Sequence, residues 1–175
     1  MGIVRVVVTG SVGASKSTFV RTVSETEVVE IERFATDEAS LLKEKTTVAF
    51  DFGQLAFGSH KDLHIYGTPG QSRFDFMWDI LIRDAHAYIL LVAADQPSRF
   101  SRACEILSFM NQRVQIPMII AITRSDCFGA KAPEEIMMRL GYKNDKNRPP
   151  VVLVNPQERT SIVEALVVLM DLLIL

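Results

Sequence analysis

The stretch GSVGASKST, residues 10–18, sets a lysine and two hydroxyls behind a run of small residues, directly after the apolar IVRVVV. That order suits the grip of a polyphosphate. Consecutive backbone N–H groups can turn inward around an anion, and the helix N-terminus that follows adds positive potential. Gly10 and Gly13 let the main chain come close and take unusual dihedrals, while Ser11, Val12, Ala14 and Ser15 supply further amides. Lys16 would reach the β- and γ-phosphates, Ser17 would offer its hydroxyl to Mg²⁺, and Thr18 would turn an N–H toward the α-phosphate. The pattern of glycine, four residues, glycine, lysine and a hydroxyl residue is broken only at its second glycine, here Ser15. Serine keeps the N–H and adds a Cβ. In a left-handed backbone that costs about 1 kcal/mol, and in a helical one almost nothing.

The elements that must position this loop follow from hydrophobic periodicity. IVRVVV is a β-branched run of the kind found inside a parallel sheet. A helix from Lys16 to about Ser24 comes next, and the polar segment to Lys45 has no clear period. TTVAFDFGQLAF alternates as a strand, turns at Gly58-Ser59 and pairs antiparallel with LHIY. AYILLVAAD, PMIIAIT and PPVVLVN are further strands; RACEILSFMNQR, APEEIMMRL and TSIVEALVVLMDLLIL are helices. Such alternation predicts one α/β domain over residues 1–175, a mostly parallel central sheet with one antiparallel hairpin strand and helices on both faces. Ligands of such sheets gather at the carboxyl ends of the strands. GSVGASKS, GTPGQ, TRSD and NPQERTS all follow strands, so one sheet edge collects them.

Composition removes several function classes. The chain has 175 residues, 48% of them hydrophobic, and a net charge of −2 without a lysine-arginine cluster, so nucleic acid is not expected as a partner. Cys104 and Cys127 lack metal-ligand spacing and fit a reducing cytoplasm. His60, His64 and His86 are scattered and imply no metal site. MGIVRV is too short for a signal peptide, and no lipidation pattern is present. Residues 161–175 carry Glu164 and Asp171 and are too few to span a bilayer comfortably, so a docked core helix is expected and no integral membrane segment. Asp51 and Phe52 of the DFG triplet sit on a predicted strand and are expected to be structural. Phe76, Met77 and Trp78 are either core or a patch that a partner touches.

The phosphate loop, GTPGQSRF at residues 67–74 and TRSD at 123–126 occur in the order of the Ras-like small GTPases. With KTTVAFDFG ahead of HIYGTPGQSRF, the chain resembles most closely the bacterial small GTPases paired with roadblock-type proteins. The resemblance implies a P-loop NTPase fold that binds GTP and GDP with Mg²⁺ and hydrolyses GTP slowly without a partner. It assigns the Mg²⁺-completing threonine of the first switch to Thr47, with Thr46 the adjacent candidate. It gives Gly70 an N–H facing the γ-phosphate and Gln71 the attacking water, with Lys16 and Thr47 assisting. Asp126 would accept two hydrogen bonds from the guanine edge, flanked by Thr123 and Arg124, with Asn155 and Pro156 supplying the fifth loop. A roadblock-type activator or effector would contact segments near 25–47 and 67–82.

Four positions depart from that pattern. Gly67 stands where an aspartate usually holds Mg²⁺ through water. Thr123-Arg124 replaces asparagine-lysine; Thr123 can tie loops through its hydroxyl, and Arg124 can lay its planar group over the base. Asn155-Pro156-Gln157 replaces serine-alanine-lysine. Val12 is expected to crowd Gln71 and slow hydrolysis. The competing reading is a degenerate GTPase-fold scaffold with weak or no turnover. An ATP-using phosphotransferase lacks any acceptor signature.

Overall fold

The β-branched run near the N-terminus is wrapped on both sides: Val6, Val7 and Val8 have no exposed surface in the computed structural model of the chain. The structure describes residues 2–25, 29–34, 47–68, 76–143 and 145–174. Among these, seven strands form one sheet in the order β2-β3-β4-β1-β5-β6-β7. β1 (Gly2–Gly10) lies parallel between β4 (Lys61–Gly67) and β5 (Ala87–Ala93). β6 (Met118–Thr123) and β7 (Val151–Leu153) extend the sheet in parallel. β3 (Thr47–Phe57) runs against both of its neighbours, β4 and β2 (Val29–Phe34). It is the one reversed strand that the hairpin pattern predicts.

β2 lies in the segment read as having no clear period, although Val29-Glu30-Ile31-Glu32 alternates over four residues before Arg33-Phe34 breaks the pattern. Its sequence VEIERF mixes apolar and charged residues, and at the outer edge of the sheet no uniform apolar run is required. GTPGQ therefore begins where the fourth strand in chain order ends.

Alternation along the central strands divides the core. Val6, Val8, Ile89 and Leu91 pack with Phe19 and Val20 of α1 (Lys16–Val23) and with Ile162, Leu166 and Leu169 of α5 (Arg159–Ile174). Val7, Leu90 and Val92 face the other way. They meet Ile82 of α2 (Phe76–Arg83), Phe100 and Ile106 of α3 (Phe100–Arg113) and Ile136 of α4 (Pro133–Arg139). Each buried leucine or isoleucine removes enough apolar surface to contribute about 1.5–3 kcal/mol, which stiffens the strand ends that carry the loops. α5 docks through residues spaced three and four apart, as a core helix should. Among the described residues no helix is long and apolar enough to cross a membrane.

Connections from β1 lead to the β2-β3-β4 side, and those from β5 lead to β6 and β7. The strand order therefore reverses between β1 and β5, which opens a crevice at their carboxyl ends.

Candidate functional site

Leaving β1, the chain passes so close to β5 that side chains are excluded. A Cβ on Gly10 would stand 2.6 Å from the Leu91 carbonyl oxygen. Two residues then take left-handed backbone: Gly13 at φ 83° and Ser15 at φ 74°, ψ 32°. The missing glycine thus falls where glycine would be unstrained, and Ser15 carries the strain. Its side chain makes no capping bond, while its carbonyl accepts the Phe19 N–H at 3.0 Å and so starts α1. No acidic residue occupies the first turn of α1, leaving its positive end available to an anion.

Lys16 lies inside this loop. Its Nζ donates to the carbonyls of Gly10 at 2.8 Å and Ser11 at 2.7 Å. Burial pushes the ammonium down to about 8, the charges of Arg102 and Arg99 push the same way, and Asp51 opposes them. Val12, in the same loop, is 40% exposed. The glutamine it is expected to crowd, Gln71, lies outside the described residues, as do Gly70 and Thr46.

Asp51 reaches the loop by a contact that the sequence does not show. Its carboxylate accepts a hydrogen bond from the Ser17 hydroxyl. In the sheet its register partner is Gly67, and a Cβ added to Gly67 would lie 3.6 Å from the Asp51 Cβ. The neighbouring strand thus places a carboxylate beside the end of β4, where Gly67 has none. A hydroxyl and a carboxylate oxygen in contact fit Mg²⁺, which takes hard oxygen ligands, one or two carboxylates and otherwise water or phosphate. Among the described residues no larger His, Cys, Asp and Glu cluster competes for a metal. Thr47 opens β3 opposite Phe34, on the strand that carries Asp51.

From Ser15 and Thr18 a cleft of about 520 Å³ runs to Arg124, Asp126, Asn155 and Pro156. That volume is ordinary for a small-molecule site. Asp126 is exposed in the cleft wall, and its neighbour Arg124 is engaged by Asp95: Arg124 Nε donates to both carboxylate oxygens of Asp95 at 2.9 Å. This fixes a planar guanidinium at the cleft edge, on a residue held at φ 58°. Asn155 shapes its own loop, accepting the Gln157 N–H and offering its N–H to Ser161 Oγ. Thr123 differs from expectation. It is completely buried, and its hydroxyl donates to the Val92 carbonyl at 3.5 Å, so it joins β6 to β5 and does not reach the cleft.

The loop after β5 escaped the sequence reading. It supplies Asp95 to Arg124 and Gln96 to the loop after β1, where a Cβ on Gly13 would lie 3.1 Å from Gln96 Oε1. Its signal was present: AYILLVAAD ends at the same edge as the other loops.

A family model described as "Conserved hypothetical ATP binding protein" matches residues 26–172. An uncharacterised protein of Methanocaldococcus jannaschii is 31% identical over 80 residues, 46% of this chain and 50% of that protein, so the chain spans about half the length of the curated relative it matches. Among solved structures, the Arl6 BBS3 small GTPase of Trypanosoma brucei with bound GppNp is similar at TM-score 0.74 and 16% identity, covering 98% of each chain. The G domain of the T. maritima FeoB iron transporter is similar at TM-score 0.68 and 16% identity, covering 97% of this chain and 98% of its own. At such identity the likeness is one of fold: that of the P-loop GTPases.

Two measurements probe this geometry. Replacing Ser15 relieves left-handed strain of about 1–2 kcal/mol, against about 0.4–1 kcal/mol of added chain entropy when unfolded. Ser15→Gly should therefore raise stability by about 0.5–1 kcal/mol in urea denaturation; a less stable variant would show that serine makes a compensating contact. Because the Lys16 ammonium is lowered in the folded chain, the unfolded chain binds more protons between about pH 8 and 10.5, and stability should rise with pH across that window. Phosphate in the loop would return the proton to Lys16. Calorimetry at pH 8.5 in two buffers of different ionisation enthalpy should then show proton uptake on nucleotide binding, and buffer-independent heats would contradict it.

Proposed function

Since the chain belongs to the family described as conserved hypothetical ATP binding protein, we propose that it is a nucleotide-binding switch that takes GTP and GDP with Mg²⁺ and hydrolyses GTP slowly. The observation that carries this reading is the ammonium of Lys16 held inside a glycine-rich loop that opens onto the Asp126 cleft. Backbone amides of residues 13–18 and Lys16 would hold the phosphates, with the positive end of α1 behind them. Ser17 and Asp51 would hold Mg²⁺, which supplies charge neutralisation across the β- and γ-phosphates. Gly70 and Gln71 keep the roles that the Ras-like resemblance implies: an N–H for the terminal phosphate and orientation of the attacking water. Thr47 would complete the metal shell from the start of β3. Contacts of this kind would distinguish the triphosphate from the diphosphate state, which is how a partner of the roadblock type would sense the nucleotide.

Base choice is where two readings divide. A carboxylate at Asp126 can accept from N1–H and the exocyclic amine of guanine. Adenine presents an acceptor at N1, so one carboxylate oxygen would face a lone pair. The side chain therefore favours guanine. The family description favours ATP, and that is the second reading.

Competition decides between them. With fluorescent GDP bound in Mg²⁺, GTP should displace it at least about 100-fold better than ATP, since a mispaired buried hydrogen-bonding edge costs about 1–3 kcal/mol per group. Asp126→Asn should erase most of that preference. Equal displacement by ATP would install the adenine reading, and no binding of either nucleotide would leave a scaffold.

The Asp51 carboxylate has its own test. Asp51→Ala should raise the magnesium needed for slow nucleotide release by about tenfold or more, since losing even an outer-shell partner of a metal costs about 10–100-fold in affinity. Adding Gly67→Asp, for which there is room beside the shortened residue 51, should recover part of the loss. An unaltered magnesium titration in a folded Asp51→Ala protein would remove Asp51 from the metal site.

A further inference from the structure

In a parallel sheet the loops that leave neighbouring strands begin side by side. Ala93, the last residue of β5, is the register partner of Thr123, the last residue of β6. The loops that carry Asp95 and Arg124 therefore start together. The loop after β5 has little freedom. The Ala94 N–H donates to the Thr123 carbonyl at 2.9 Å, and the Ala94 carbonyl accepts the Lys131 N–H at 2.9 Å. The Gln96 N–H closes a turn onto the Ala93 carbonyl at 3.2 Å, and a 3-10 turn, Pro97–Arg99, follows. Asp95 is thus pinned by main-chain bonds on either side, with only 12% of its side chain exposed.

Arg124 is the opposite kind of residue. Its side chain is 45% exposed, and its backbone stands at φ 58°, uncommon for any residue but glycine. A turn in which its carbonyl accepts the Cys127 N–H at 3.2 Å carries the chain on through Asp126. Left alone, so long a side chain samples many rotamers, and ordering it when a ligand arrives would weaken binding. Asp95 does the ordering in advance, because both of its oxygens accept from Arg124 Nε at 2.9 Å. An N–H donates in the plane of the guanidinium, so this grip sets the plane and leaves its two faces open. The cleft that Arg124 lines also presents Pro156 and Leu153, the latter 57% exposed. A flat cation and apolar side chains beside one carboxylate suit a ring with a hydrogen-bonding edge.

We propose that Asp95 is a positioning residue for base recognition: without touching the nucleotide, it holds Arg124 in place over the ring while Asp126 reads the edge. The inference rests on the nucleotide reading above and deepens it, since it names what makes the base side of the cleft ready before the ligand arrives. The effect of Asp95 would be felt by the base and not by the phosphates. Lys16 is bonded to the carbonyls of Gly10 and Ser11, and Asp95 takes no part in that contact.

The test compares a nucleoside diphosphate with inorganic pyrophosphate, each titrated into the full chain with Mg²⁺. The nucleoside diphosphate carries whichever purine the wild type prefers. Asp95→Asn keeps the size of the side chain and removes its charge. It should weaken the nucleoside diphosphate by about tenfold, the scale of a guanidinium lying over a ring. Pyrophosphate, which has no ring to cover, should change by less than about twofold. Arg124→Ala should show the same selective loss, and adding Asp95→Asn to it should change nothing further, because the two residues act as one unit. Where Asp95→Asn does not fold, Arg124→Lys serves at the exposed member of the pair. It keeps the charge, loses the planar face and should lower only the nucleoside affinity. An equal loss for pyrophosphate would make Asp95 a support of the fold and overturn the proposal. A further loss on top of Arg124→Ala, or an unchanged nucleoside affinity in the variant that folds, would overturn it too, and each leaves the nucleotide reading intact. A wild type that binds no nucleotide would overturn that reading and this one together.

Discussion

A buried ammonium must be surrounded by oxygen, and in this chain two main-chain carbonyls provide it. The bonds from Lys16 to Gly10 and Ser11 require the loop to curl back over its own side chain. That curl is possible only because Gly10 slips past Leu91 with no side chain between the strands, and because Gly13 and Ser15 turn through left-handed backbone. Desolvating a charge is expensive unless its partners are in place, so the loop, the end of β1 and the first turn of α1 stand or fall as one unit. Everything proposed about phosphate depends on that unit holding its shape.

The sheet keeps it in shape by packing on both faces. β1 and β5 are buried along the residues that lead to the site, with α1 and α5 on one side and α2, α3 and α4 on the other. Interiors packed in this way yield little. Rigid strand ends then present loops that differ in chemistry: amides and an ammonium after β1, a carboxylate and a carboxamide after β5, a guanidinium and a carboxylate after β6. Arg124 and Asp95 link the last two, so the base side and the phosphate side share a common wall.

Much of this was legible in the residues. Strands β1, β5 and β6 are β-branched runs with no competing period, and the loop from Gly10 to Thr18 names its chemistry by residue type. Three things were not legible, each for a physical reason. β2 lies at the sheet edge, where charge is tolerated, so its sequence lacks an apolar signature. The contact of Asp51 with Ser17 joins residues 34 apart through strand pairing, and no local pattern encodes a register. The hydroxyl of Thr123 can bond in several directions, and only the sheet shows that it turns inward to Val92. For Ser15 the sequence allows two conformations, because a Cβ is compatible with either, and the path from β1 into α1 selects the strained one.

One consequence concerns the reversed strand β3. Strand side chains alternate between faces, so sliding β3 by a single residue along β4 would bring Phe52 to the place of Asp51 and turn the carboxylate away from Ser17. An aromatic ring there offers a hard cation nothing. Occupancy by the ion would therefore act as a proofreading device on the alignment of the outer hairpin, selecting one of its neighbouring registers and rejecting the rest.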